Sequence, residues 1–271
     1  TMKSDIEIIA DRLKMELEDL GMLDRKVSGK TLDGDGRNTA MLSSSYRFIG
    51  VARYVLDHDV LQFKECLAES SRLYHGLFLR YENGEPISPS FLAMIAYQEL
   101  LHALAAGDPI LAERLATVMG GRTAIEKVHD HPFDRSFGYA LKWAVSGQRS
   151  ELETSLEHFI NICQTKPFRD FSGYATMFSA MLNGDDRLAA DAVPTITAGH
   201  ARQSRGRGLF SKPSDRILCV WGIGIVNLAR SFYNLKAPAM PPLIPEELLM
   251  PPHQYPPAGR RPKSPEAVDE E

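Results

Sequence analysis

The sequence predicts an all-α chain of stacked antiparallel helix hairpins, a degenerate helical-repeat array of tetratricopeptide-like layout. Three observations carry this. Apolar residues recur three and four positions apart along most of the chain, the spacing of one helix face. No alternating strand pattern runs longer than four residues. Helical stretches are interrupted by short polar breaks near positions 58, 107, 147 and 184. The breaks lie about 50, 40 and 37 residues apart, the period range of helical repeats. No stretch reproduces a tetratricopeptide consensus, so the repeats are degenerate. Each hairpin hides only a fraction of its apolar surface and must stack on its neighbour, which gives a curved array. The predicted domain spans 1–250, its N-terminal stretch 1–38 only faintly patterned. A Pro-rich, charged, disordered tail is predicted at 251–271.

Residues 3–20 form an amphipathic helix with Ile6, Ile9, Leu13, Leu17 and Leu20 on one face, ended by Gly21. Residues 24–38, rich in Lys, Gly and Asp, read as a loop. Its Asp33-Gly34-Asp35-Gly36 run lacks the later oxygen ligands of a calcium loop. Residues 39–80 give two helical arms split at Asp57-His58-Asp59. The most legible hairpin is 91–119. Leu92, Ile95, Ala96, Leu100 and Leu104 precede Gly107-Asp108, and Leu111, Leu115 and Val118 follow it. Gly107 suits the left-handed close of a helix, Asp108 the cap of the next, and Pro109 its first position. Gly120-Gly121 ends this hairpin. Residues 133–145 and 152–163 flank Ser146-Gly147-Gln148, and 171–182 and 188–200 flank Asn183-Gly184-Asp185-Asp186. Ser214-Asp215 should cap a last helix, 216–235, apolar on most of its circumference and therefore buried. Ten prolines then fall within 237–265, around one short docked turn at 243–249.

Composition narrows the function classes. A net charge of −4 over 271 residues gives no push toward nucleic acid or an anionic membrane. Cys66, Cys163 and Cys219 are sparse, odd in number and without CxxC spacing, so neither a disulfide framework nor a zinc site is expected. Met2 leads directly into the first amphipathic helix, and no apolar run approaches a membrane span. The expected location is the cytoplasm. Nothing in the sequence sets an oligomeric state.

The densest set of ligand-capable side chains is Val128-His129-Asp130-His131-Pro132-Phe133-Asp134. His129, Asp130, His131 and Asp134 could approach a metal, but no HExxH accompanies them. A polar loop with Asp134 capping the next helix explains the cluster, and a partner-contact site is the functional alternative. There is no GxSxG elbow and no protease-like cysteine context. Gly222 and Gly224 form a GxG inside a helical pattern, where they should let two helices approach closely. Arg202, Arg205, Arg207 and Lys212 make a basic loop around Phe210. Asp57, Asp59, Asp108, Asp185 and Asp186 stand at hairpin tips and read mainly as caps. No catalytic constellation emerges, so the expectation is a binding protein without metal or cofactor. Its candidate partner contacts are His129, Asp130, His131, Asp134, Asp185, Asp186, Arg205 and Arg207.

Three features together carry a family resemblance: the hairpins HALAAGDPILAERLA and FSAMLNGDDRLAADAV, the His200 that ends the last of them, and the closing block DRILCVWGIGIVNLARSFY…PPLIPEELL. Over 91–250 the chain resembles the Imm49-type immunity proteins of bacterial polymorphic toxin systems. The resemblance implies an all-α protein that binds a cognate toxin domain, often a nuclease, in the cytoplasm and neutralises it stoichiometrically. It carries over no contact residues, because such interfaces diversify with each toxin. The alternatives are a helical-repeat adaptor that binds a peptide segment and, more remotely, a hydrolase using His129 and His131.

Overall fold

In the computed structural model, which describes residues 3–29 and 33–251, the chain is all-α. Twelve helices occur among the described residues: α1 (Asp5–Ser28), α2 (Arg37–Asp57), α3 (Val60–Glu82), α4 (Tyr97–Ala105), α5 (Pro109–Val118), α6 (Thr123–His129), α7 (Pro132–Ser146), α8 (Arg149–Cys163), α9 (Ser172–Asn183), α10 (Asp186–Gln203), α11 (Pro213–Ile217) and α12 (Val220–Tyr233). Extended pairing among these residues is limited to one isolated bridge, Met240 to Ile244. The tail expected at 251–271 lies outside the described residues, except for Pro251. No helix among them is long and apolar enough to cross a membrane.

Consecutive helices pair as hairpins, α2 with α3, α4 with α5, α7 with α8 and α9 with α10. In three of these, a left-handed residue closes the first helix and a capping aspartate opens the second. Between α4 and α5, Gly107 has φ +73° and Asp108 accepts the Leu111 N–H at 2.9 Å. Between α9 and α10, Gly184 takes φ +63° and Asp185 accepts the Leu188 N–H at 2.9 Å. Between α2 and α3 His58 takes the left-handed role at φ +53°, and Asp59 accepts the Gln62 N–H at 2.9 Å.

Several predicted boundaries move. The first helix does not stop at Gly21 but continues to Ser28, into the predicted loop. One interior glycine costs a helix only about 1 kcal/mol, and burial of Leu23 supports the extra turns. Its buried residues are Ile9, Leu13 and Leu23, while Ile6 and Leu17 are exposed. The predicted helical arm from Phe91 begins only at Tyr97, after two short 3-10 turns. The predicted helix 216–235 is broken at Leu218-Cys219, where the Cys219 N–H is donated to the Leu243 carbonyl at 2.9 Å instead of continuing a helix. Its entry residue is Lys212, with Pro213 at the first position, in place of Ser214-Asp215.

The last helix organises the core. α12 packs on α4, α9 and α10, so the chain folds back on itself beyond nearest-neighbour stacking. Against α4 the approach is backbone to backbone, for a Cβ on Gly224 would lie 2.5 Å from the Leu101 carbonyl oxygen. Even the polar residues of α12 are buried. Asn227 donates to the Leu104 carbonyl at 2.9 Å and accepts the Met250 N–H at 2.7 Å. Arg230 pairs with Glu246 at 2.7 Å and holds the Ala237 carbonyl. The docked turn predicted at 243–249 is present, with Ile244, Leu248 and Leu249 buried. Phe137 of α7 joins the centre, its ring meeting those of Tyr97, Phe159, Tyr174 and Trp221. All three cysteines are buried free thiols, and burial pushes Cys66 up to about 11 and Cys163 and Cys219 to about 12.

Candidate functional site

The residues singled out from the sequence fall in three places. The first is the α6–α7 junction. Asp130 is buried there, and its carboxylate accepts the Met94 N–H at 2.8 Å and the Ile95 N–H at 2.9 Å. Burial raises its pKa, against the pull of those two N–H groups. His131, not Asp134, caps α7, its Nδ1 accepting the Phe133 N–H at 3.1 Å. Asp134 sits in the first turn and accepts the Tyr97 hydroxyl at 3.2 Å. His129 is exposed at the end of α6. The second place is the α9–α10 turn, where Asp185 caps and Asp186 accepts the Lys236 N–H at 2.9 Å. The third is the loop after α10, where Arg205 and Arg207 are exposed and Arg202 pairs with Asp170 at 2.5 Å. No hydrogen bond or ion pair joins the three places among the described residues, and no group of three His, Cys, Asp or Glu side chains there could hold a metal.

A buried polar cluster that sequence reasoning missed lies where α2, α3 and α4 meet. Glu99 is 5% exposed and faces His102 one turn on, with Oε2 3.2 Å from Nδ1. Ser70 donates to the same oxygen at 3.0 Å, and Arg47 lies 3.5 Å from the other. Ser71 donates to the Glu99 carbonyl at 2.9 Å. Burial pushes the Glu99 carboxyl up, but His102, Arg47 and Ser70 outweigh it and hold the pKa below the ordinary value. The available signal was the Glu99-Leu100-Leu101-His102 spacing, which puts a carboxylate and an imidazole on one helix face. In the apolar pattern of α4 it reads as a stretch of the core stripe. A di-metal carboxylate site would need a second such pair on a facing helix, and none is assembled among the described residues.

Beside this cluster lies a cavity of about 160 Å³, bordered by Arg47, Gln98 and His102 from α2 and α4 and by His200, Lys212, Asp215 and Trp221 from the chain running from the end of α10 to the start of α12. His200 is 3% exposed, stacks on Phe210 at 4.5 Å, and has no hydrogen-bond partner at either ring nitrogen. Burial drives its pKa down to about 4, with the backbone of Asp215 and Arg216 acting weakly the other way.

On the outer surface, α1 and the start of α2 enclose an open groove of about 670 Å³. Its apolar lining includes Ile8, Met15 and Met41, of which Met15 is 62% and Met41 51% exposed. Around them stand Lys3, Asp11, Arg12, Glu16 and Asp19. Arg12 is committed to Glu16 at 2.9 Å and Lys3 to Asp11 at 2.5 Å, which leaves Asp19 outside any ion pair among the described residues. No protein-family model, curated protein or solved structure matches the chain.

Proposed function

We propose that the protein is a stoichiometric inhibitor that binds a folded, basic toxin domain in the cytoplasm, as the immunity-protein resemblance implies. The observation that carries the reading is the α1–α2 groove. Met15 and Met41 stand more than half exposed on it, with Ile8 beside them and an excess of carboxylates around them. Exposed apolar surface rimmed by charge marks protein-interaction sites, and methionine adapts to the shape of a partner. A basic toxin cleft would find complementary charge at Asp19 and the acidic rim. In this reading the chain performs no chemistry of its own. At the α6–α7 junction Asp130 and His131 hold backbone in place, while His129, Asp134, Asp185, Asp186, Arg205 and Arg207 remain candidates for the edge of the interface.

Co-expression with the product of a neighbouring toxin gene tests the proposal. A 1:1 complex and rescue of growth are expected, and both should be lost with Met15→Asp combined with Met41→Asp. Rescue that fails while both proteins are folded and abundant overturns the inhibitor reading. The groove also has the form that accepts an amphipathic helix. If the double variant abolishes binding to isolated peptides while no toxin is affected, the adaptor reading replaces it.

A further inference from the structure

We propose that the inner cavity between α4, the end of α10 and the start of α12 binds a small organic anion. At about 160 Å³ it has room for roughly five waters, or a ligand of comparable bulk. Donors dominate its polar lining. Arg47 and Lys212 contribute cations and Gln98 an amide. The first turn of α12, which includes the lining residues Val220 and Trp221, brings the positive end of its helix dipole to the cavity, although the Val220 N–H already bonds the Leu218 carbonyl at 3.1 Å. His102 borders the cavity with its Nδ1 facing Glu99 at 3.2 Å. His200, buried and unpartnered, borders the same space.

Two carboxylates moderate the field. Glu99 is already matched by Arg47 and His102, and Asp215 also borders the cavity. The apolar lining is Val51, Leu209, Leu218 and Val220 with Trp221 and Phe210, the last two in edge-to-face contact at 5.1 Å. Cationic and amide donors together with an aromatic pair in one lining suit a ligand with one carboxylate or phosphate and a small flat apolar portion.

Trp221 is one of two tryptophans, so Trp143→Phe makes it the only fluorescent indole. This variant is titrated with benzoate, phenyl phosphate and uncharged benzyl alcohol. A saturable change is expected for at least one anion, with a Kd below about 1 mM and binding at least tenfold tighter than that of benzyl alcohol. The relative affinity of benzoate and phenyl phosphate assigns carboxylate or phosphate. Lys212→Glu, at an exposed position, should weaken the anion at least tenfold and leave Tm unchanged. In the unaltered chain the same anion should raise Tm, a readout independent of Trp143→Phe. The proposal fails if no anion saturates below about 10 mM by either readout. Equal binding of benzyl alcohol, or an affinity unchanged by Lys212→Glu, overturns it as well.

Discussion

The Asp130 carboxylate accepts the Met94 N–H at 2.8 Å across 36 residues of chain. A second bond, to the Ile95 N–H at 2.9 Å, makes Asp130 a cap for a segment that is not its own. Orphan N–H groups at the entry to a helix must find acceptors, and nothing local to Met94 supplies one. The junction of α6 and α7 is thereby fastened to the approach of α4.

Replacing this carboxylate should therefore be costly away from any binding site. Two charge-assisted bonds to buried N–H groups are lost in Asp130→Ala, and a loss of about 2–3 kcal/mol in urea denaturation is expected. Asp130→Asn keeps one acceptor oxygen and should fall between wild type and Ala. A change below about 0.5 kcal/mol for Ala would show that the two N–H groups find other partners.

What the sequence could and could not reveal follows from the range of each interaction. Gly107-Asp108 and Gly184-Asp185 were legible because a left-handed residue and a cap act within five residues of chain. The close approach at Gly224 was legible because a glycine in an apolar helix has few other uses. By contrast, the start of α4 at Tyr97 depends on Asp130, and the break at Cys219 on Leu243, neither of which is local. The pairing of Glu99 with His102 was present as a spacing, but only Ser70 and Arg47, from other helices, distinguish a buried ion cluster from a stray polar pair. The exposed apolar residues of α1 were illegible for a related reason. Periodicity marks Ile6 and Leu17 as core, whereas tertiary packing leaves them exposed.

The contact of α12 with α4 makes a sharper stability prediction. In Gly224→Ala the new methyl meets the Leu101 carbonyl oxygen, a backbone atom that cannot rotate away. The two helices must separate, and a loss of about 1–3 kcal/mol is expected from chemical denaturation. Gly184→Ala makes no new contact within 4 Å but lies at φ +63°, so its cost comes from backbone strain alone and should be nearer 1 kcal/mol. If Gly224→Ala were as stable as wild type, the tight packing of these helices would be disproved.

The groove residues should behave in the opposite way. Met15→Asp and Met41→Asp alter exposed side chains, so each should leave stability within about 0.5 kcal/mol of wild type while impairing the proposed complex. A large drop in Tm with either would mean that the side chain belongs to the fold and not to an interface.

His200 gives the fold a defined response to acid. Its pKa falls from 6.5 in the free side chain to about 4 in the folded chain, because burial disfavours the imidazolium. Above pH 6.5 the ring is neutral in both states and contributes no pH dependence. As pH falls from 6.5 toward 4, the unfolded chain takes up the proton and the folded chain does not, so stability decreases. The loss should reach about 2 kcal/mol between pH 7.5 and pH 5, and level off near 3 kcal/mol below pH 4. Glu99 acts separately and lower: its depressed pKa stabilises the fold above the ordinary carboxylate range, and that contribution disappears as acid protonates it. Denaturation of wild type and His200→Gln at pH 7.5 and pH 5 isolates the imidazole, because Gln cannot titrate. The variant should be less sensitive to this change of pH by about 2 kcal/mol. Equal sensitivity in the two proteins would mean that His200 becomes protonated in the folded state as readily as in the unfolded one.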